Sequence, residues 1–556
     1  MKRWLIRALI LIVCLAVLWL AAGLAAKSLV AGASSSGFVA SLESTVGAPV
    51  SVGAGSFDLA QWFLLRPSVA FENIAIGNPP GFRGKNLIEA RSLAAQVSLL
   101  PLFHKTLQVH SVTLDSPRIL IETNAQGESN IEALIRHSRN GGAPSGRTSR
   151  TTPATSPGAS NTSSVPAGSD LVVDQLAITN GELVAENVAI SGINLHLTDL
   201  ARDRPCRLDF AARLFNGRNS RLHLEAQAGP FTSDSLPLNG TASITIAPAD
   251  MPPAFRRKQF GTLLLAPGDK ARATFSASVN GDVYRTLSGP AKLAISDFQI
   301  GKDEKHVLPL SGDTPLEFSA SRLMSSPAVQ LRMANAKIRV GKGQWTGTAQ
   351  LDLHGSMASG RSTGKIGNVD INEILSSLTS SEGKIYGQLE MPYSLDFSGK
   401  NADEIRNSLH GTGKLSVTQG RIAALDLLAT IQQVALHPEQ ALEGKRGGTP
   451  FTSLSSDLSV AQQKMNVGAF DLESPALRVT GQGVVDFDHN LNFDLVAHTS
   501  GDLAQMLSKI SRPGQESGLP ITITGTVDAP KVRPKMGKVI SNVAGGLLDS
   551  ILKKKK

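Results

Sequence analysis

Residues that could carry covalent or acid–base chemistry are few in this chain and poorly spaced for it. His104 and His110 fall in one expected strand, and the other histidines are scattered singly. No set of Cys and His has the spacing of metal ligands. Gly411-Thr412-Gly413 and Gly481-Gln482-Gly483 lack the further glycine and following helix that would aim backbone N–H groups at a phosphate. No Gly-x-Ser-x-Gly elbow comes with a His and an acid placed to activate its serine. Asp303-Glu304 and Asp403-Glu404 are paired carboxylates, but sequence neighbours read as a solvated turn or the first turn of a helix, not as the facing groups of a glycosidase. We therefore expect no enzyme, no cofactor and no metal centre.

The spacing that does recur sorts apolar from polar side chains. In RLDFAARL, Leu208, Phe210 and Leu214 point one way while Arg207, Asp209 and Arg213 point the other. Leu222 and Leu224 alternate with Arg221, His223 and Glu225. The same period of two runs through Ile119 and Ile121, through Val329, Leu331 and Met333, through Leu491, Phe493 and Leu495, and through Ile521 and Ile523. It predicts strands with one greasy and one wet face, as in antiparallel sheet. Asn180-Gly181, Asn216-Gly217, Asn239-Gly240 and Asn280-Gly281 are expected as turns between runs. Helices are few: Asp370 should cap INEILSSL, and Ala402–Leu409, Leu425–Ala435 and Asp502–Ile510 are the other candidates. So few short helices cannot cover a sheet of this size. Two sheets could pack face to face, or one long sheet could curl so that its apolar face lines an open trough. With only three Tyr and four Trp for aromatic cores, the trough is the expected solution.

Ala8 to Ala26 is an uncharged apolar run of 19 residues, about 28 Å as a helix and close to the hydrocarbon thickness of a bilayer. Lys2, Arg3 and Arg7 precede it, which keeps the N-terminal tail cytoplasmic and the bulk of the chain outside. A cleaved signal peptide would need a site such as Gly23-Leu24-Ala25 or Ala31-Gly32-Ala33, but the run is longer than a usual cleavable core. The net charge of +9 includes four terminal lysines and shows no basic stripe interleaved with aromatics, so nucleic acid is not expected as a partner. Cys206 is the one cysteine outside the apolar run, which excludes an intramolecular disulfide framework. His137 to Ser169, rich in Ser, Thr, Pro and Gly, is read as a flexible linker.

Between Phe71 and Ile135 the chain reads FENIAIGNPPGF, then SLAAQVSLLPLFHKTLQVHSVTLDSPRILIETNAQG, then ESNIEALI. Turns at Asn78-Pro79-Pro80-Gly81 and Asn124-Ala125-Gln126-Gly127 bracket alternating runs. This order resembles the N-terminal signature of the AsmA family of bacterial envelope proteins. DQLAITNGELVAENVAI and, further on, IYGQLEMPYSLDFSGKNADEIRNSLHGTGKLSVTQGRIAALDLL and ITITGTVDAPKVRP continue the resemblance. Ala423-Ala424 departs from it, since relatives commonly carry glycine before the apolar-Asp pair.

The resemblance implies a mainly β fold, an N-terminal transmembrane helix followed by a long curved antiparallel sheet with a hydrophobic trough, as in the bridge-like lipid-transfer proteins of eukaryotes. At about 4.8 Å per strand, some 25 strands would span roughly 120 Å. The expected regions are an anchor (1–27), an N-terminal β region (28–136), the linker (137–169), a middle β region (170–368), a C-terminal β region (369–535) and a helical tail (536–556). The implied function is an inner-membrane-anchored periplasmic protein that shields or conducts phospholipid acyl chains in outer-membrane biogenesis. Candidate groove-lining residues are Ile119, Ile121, Leu208, Phe210, Leu222, Leu224, Val329, Leu331, Met333, Leu491, Phe493 and Leu495. Val543, Leu547, Ile551 and Leu552, followed by Lys553, Lys554, Lys555 and Lys556, suit a helix that caps the sheet or docks on anionic headgroups. The alternative is a factor that captures assembling outer-membrane proteins at a sheet edge by β-augmentation, without lipid.

Overall fold

Each alternating run named above forms strand in the computed structural model of this chain, except that Ile121 falls one residue past its strand. The structure describes residues 48–101, 107–125, 128–139, 171–185, 189–253, 264–423, 426–430, 442–443, 447–499 and 518–535, less 202, 233, 324, 325, 476 and 528, with 30, 39, 43 and 256 described singly. The expected span Ala8–Ala26 and the tail 536–556 lie outside the described residues. Among those residues no helix is long and apolar enough to cross a membrane. The protein is mainly β with few helices. Residues 1–246 with 278–287 form one compact unit, and 247–277 with 288–556 form another.

In the first unit β1 (Val50–Ser51) and β2 (Gly55–Asp58) pair with β3 (Ser68–Gly77). Asp58 caps the short α1 (Leu59–Phe63), accepting from the Ala60 N–H at 2.9 Å. β3 pairs with β4 (Asn86–Ser98), along which β5 (Leu107–Asp115) and β6 (Arg118–Leu120) follow one another. Next come β7 (Leu171–Val184), β8 (Ala189–Ala201), β9 (Cys206–Leu214), β10 (Arg221–Ala228) and β11 (Pro237–Ile246), each after β7 antiparallel to the one before. The junction of β5 and β6 with β7 is parallel, which corrects the all-antiparallel expectation. Parallel neighbours require a long crossover, and residues 121–170 supply its length. That crossover includes α2 (Asn130–Arg139), which runs three residues into the stretch read as linker.

The signature motif closes on itself here. Asn130 is fully buried; its Oδ1 accepts from the Glu122 N–H at 3.1 Å, and its Nδ2 donates to Leu120 O at 2.7 Å and to Asn78 Oδ1 at 2.9 Å. Glu122 in turn accepts from the Gly84 N–H at 2.8 Å. The turn at Asn78 and the start of α2 are thus joined by satisfied buried polar groups, the arrangement that makes such groups stabilising. Ser129 and Glu132 close a capping box over α2, each side chain accepting from the other's backbone N–H.

The second unit includes β12 (Leu264–Leu265), and β13 (Arg272–Asp282) and β14 (Thr286–Gly301) contribute residues to both units. β15 (Val307–Ser321), β16 (Ala328–Val340), β17 (Gly343–His354), β18 (Met357–Asp370), β19 (Ile385–Gly399) and β20 (His410–Ile422) form an antiparallel run. β21 (Leu442–Glu443) pairs with the last strand, and the run resumes beside β20 with β22 (Thr449–Ala461). It continues through β23 (Lys464–Ser474), β24 (Leu477–Asp486), β25 (Asn490–Thr499), β26 (Leu519–Thr526) and β27 (Pro530–Pro534). Two expected helices stand here. Asp370 caps α3 (Ile371–Leu378) by accepting from the Asn372 N–H at 2.9 Å, and Asn401 caps α4 (Ala402–Ser408). Residues 427–430 are helical, whereas 502–510 lie outside the described residues.

Of the four expected Asn-Gly turns, only Asn216-Gly217 separates two strands. Asn180-Gly181, Asn239-Gly240 and Asn280-Gly281 lie within β7, β11 and β13. Asn180 is left-handed, and the register with β8 shifts around Gly181. Asn tolerates a left-handed backbone in a bulge as readily as in a turn, so the dipeptide alone does not tell them apart.

Candidate functional site

Directly opposed residues in a ladder share a face, so the registers trace what each sheet presents. In the first unit one row runs from β2 to β11 as Phe57, Val69, Ala95, Val112, Leu176, Leu197, Leu208, Ala226 and Gly240. Two residues along each strand a second row reads Gly55, Phe71, Leu93, Leu114, Ile178, Leu195, Phe210, Leu224 and Ala242. Both rows cross nine strands, about 38 Å at the usual strand spacing. The other face carries Ser68, Gln96, Ser111, Gln175, Thr198, Arg207, Gln227 and Asn239. Except for Ala226, which is buried, the apolar side chains are only half-buried.

Left-handed residues recur at Asn73 in β3, at Ser116 between β5 and β6, at Asn180 in β7 and at Gly192 in β8. Beyond them a further apolar row links Val50, Ile76, Ile88, Ile119, Leu183, Ile190 and Leu214. Ile121 lies just past β6, where its N–H donates to Val184 O. Leu222 is opposed by Ala212 and Ile244.

The second unit repeats the sorting. One row reads Met333, Ala349, Ser362, Leu395, Gly411, Val460, Met465, Val485, Leu491 and Gly525. Its neighbour reads Ala336, Gly347, Gly364, Tyr393, Gly413, Leu458, Val467, Gly483, Phe493, Ile523 and Val532, eleven strands or about 48 Å. The opposite face reads Thr348, Thr363, Ser394, Thr412, Ser459, Asn466, Val484, Asn492, Thr524 and Lys531. Leu331 sits among Phe318, Leu351, Gly360 and Phe397, and Val329 is opposed by Ala320 and Leu353.

Burial along this apolar face is graded. At one end Val369, Leu389, Val417, Leu454, Leu472, Val479 and Ala497 form a row with at most 4% exposure. Ile371, Ile374 and Leu375 of α3, together with Leu427, pack against them. Left-handed Asn368 and Ala469 lie at register shifts in β18 and β23, which bring residues of opposite parity onto this one face. Leu495, at 5%, is the one expected lining residue inside this core. Toward the other end Met333, Leu395, Val460, Met465, Val485 and Leu491 are only half-buried. The polar atoms on that stretch satisfy each other: the Trp345 indole donates to the Tyr393 hydroxyl at 2.7 Å, which also bonds Ser362 at 3.0 Å.

Among the described residues the polar clusters pair with one another. A depression of about 600 Å³ beside Asn73, Arg91, Arg118 and Asn180 has both arginines paired, to Asp115 and Glu182. His306 lies between Asp303 and Glu382, at 2.8 and 3.2 Å, and its hydrogen bond holds the Asp303 carboxyl down at about 2. Burial pushes the Cys206 thiol up, away from thiolate reactivity. Asp403 and Glu404 occupy the first turn of α4.

Reasoning from sequence missed Val69, Leu93, Leu176 and Leu195 as members of the long rows because it counted runs one at a time. It missed Gly411, Gly413 and Gly483 for a different reason: a glycine in an apolar row adds no apolar signal. The AsmA family model matches residues 56–199, a stretch that holds most of the first unit's rows. No curated protein and no solved structure matches the chain.

Proposed function

We propose that this chain, whose residues 56–199 belong to the AsmA family, shields or conducts phospholipid acyl chains along the apolar faces of its sheets. Family membership suggests a role in envelope biogenesis or lipid transport. The finer assignment is to a periplasmic protein, anchored in the inner membrane by Ala8–Ala26, that supports outer-membrane biogenesis. The observation that carries it is the graded burial. A face that existed only to hold the fold together would be covered throughout, as the row from Val369 to Ala497 is. Instead rows of Leu, Val, Phe and Met stay half-exposed across many strands, backed by a polar face.

Such a surface suits a long, thin, unbranched hydrocarbon. Each methylene moved from water onto it gains up to about 0.8 kcal/mol, and a charged headgroup can remain in solvent. No catalytic residue is needed. Photo-crosslinking amino acids at Phe210, Leu224, Leu331 or Phe493 should capture phospholipid in cells, whereas those at Asp209, Glu225 or Asp494, on the opposite face, should not. Equal capture on both faces would remove the proposal. Capture of outer-membrane protein without lipid would favour strand addition at a sheet edge.

A further inference from the structure

Phe397 and Phe493 are half-buried members of the second unit's apolar rows, and each is directly opposed by a glycine, Gly360 and Gly483. A Cβ built on either glycine would fall into the opposing ring, closer than real Cβ atoms approach any neighbour. Each ring therefore lies across its glycine, against the sheet, and does not stand up from it. In the first unit Phe71 opposes Gly55 more loosely, with a Cβ there 3.1 Å from ring atom Cε1 and closer still to the Val30 carbonyl oxygen. The recurrence in separate strand pairs argues against an accident of local packing. The pair Gly420 and Phe451 shows the same device inside the covered part, where Phe451 is buried and the purpose is packing. Phe397 and Phe493 stay half-exposed, Phe493 with one side against the core, so the posture of their rings determines how much room is left above the sheet.

We propose that Phe397 and Phe493, reclined over Gly360 and Gly483, set the clearance of the apolar face and so the thickness of the hydrocarbon it admits. This rests on the acyl-chain reading above. Any side chain in place of the glycine must lift the ring off the sheet, because the ring cannot interpenetrate a Cβ. The lifted ring then occupies the layer that an acyl chain would fill. Phe493 is further positioned by Phe470, whose ring meets it edge-on with centroids 6.3 Å apart, so it has a preferred place to return to.

The test uses the full-length chain in cells, with a photo-crosslinking amino acid at Leu491, one row from Phe493, and lipid capture normalised to folded, protease-resistant protein. Gly483→Ala should cut phospholipid capture at Leu491 at least fivefold. Adding Phe493→Ala to Gly483→Ala should restore it, because the lifted ring is then gone. Unchanged capture in Gly483→Ala, or failure of Phe493→Ala to restore capture in the folded double variant, would overturn the clearance role while leaving lipid holding intact. Absence of capture at Leu491 in the otherwise unaltered chain would instead overturn the acyl-chain reading itself.

Discussion

Leu472→Ala and Leu491→Ala remove the same atoms from one sheet and should have very different costs. Leu472 is fully buried in the core row that runs from Val369 to Ala497, so its truncation leaves a cavity that rigid neighbours cannot fill. Such substitutions cost about 3–5 kcal/mol. Leu491 is half-buried, opposed by Val485 and Gly525. Losing half the burial of a leucine side chain, with solvent free to enter the space, should cost roughly 1 kcal/mol. The difference, about 2–4 kcal/mol on these figures, is measurable by pulse proteolysis of the full-length chain across a urea series. Lipid extraction should show the reverse order: a third variant, Leu491→Asp, loses bound phospholipid while remaining folded, and Leu472→Ala keeps it in whatever fraction is folded. Equal destabilisation by the two alanine variants would mean that the row through Leu491 is as well covered as the core, and the open face on which the function rests would not exist.

Two further outcomes follow from the polar groups. Asn130→Ala leaves the Glu122 N–H, Leu120 O and Asn78 Oδ1 without their buried partner, and should cost about 3 kcal/mol or more. A loss below about 1 kcal/mol in the same proteolysis assay would show that water replaces the amide. Asp303, held at about 2 by its hydrogen bond from His306, lies below the ordinary value of 3.8. Its contribution is therefore fully present above that ordinary value and is lost as pH falls through about 2. Wild type should be more stable than Asp303→Asn at pH 5, and the gap should close between pH 4 and 2. A gap that stays constant across that range would refute the assignment.

Much of the architecture was legible because period-2 alternation is a local property. Whether Leu208 and Phe210 share a face follows from the pleat alone, and so does the wetness of Asp209 between them. The caps of α3 and α4 were equally local, since an Asp or Asn satisfies N–H groups two or three residues ahead. The family signature was legible for a related reason. Its turn at Asn78 is joined to Asn130 by a buried hydrogen bond, which constrains the spacing between them.

Register, direction and cover were decided only in three dimensions. Nothing in Leu107–Asp115 or Leu171–Val184 taken separately says that these strands run parallel, because pairing depends on where the crossover returns the chain. Asn180-Gly181 became a bulge where a turn was expected, because its neighbours on both sides continue as strand. Leu495 and Leu491 are indistinguishable as members of one alternating run, yet one lies in the covered core and the other in an open row. Alternation determines which way a side chain points. What lies above it depends on residues as distant in sequence as Ile371 and Leu427, and that only the tertiary structure decides.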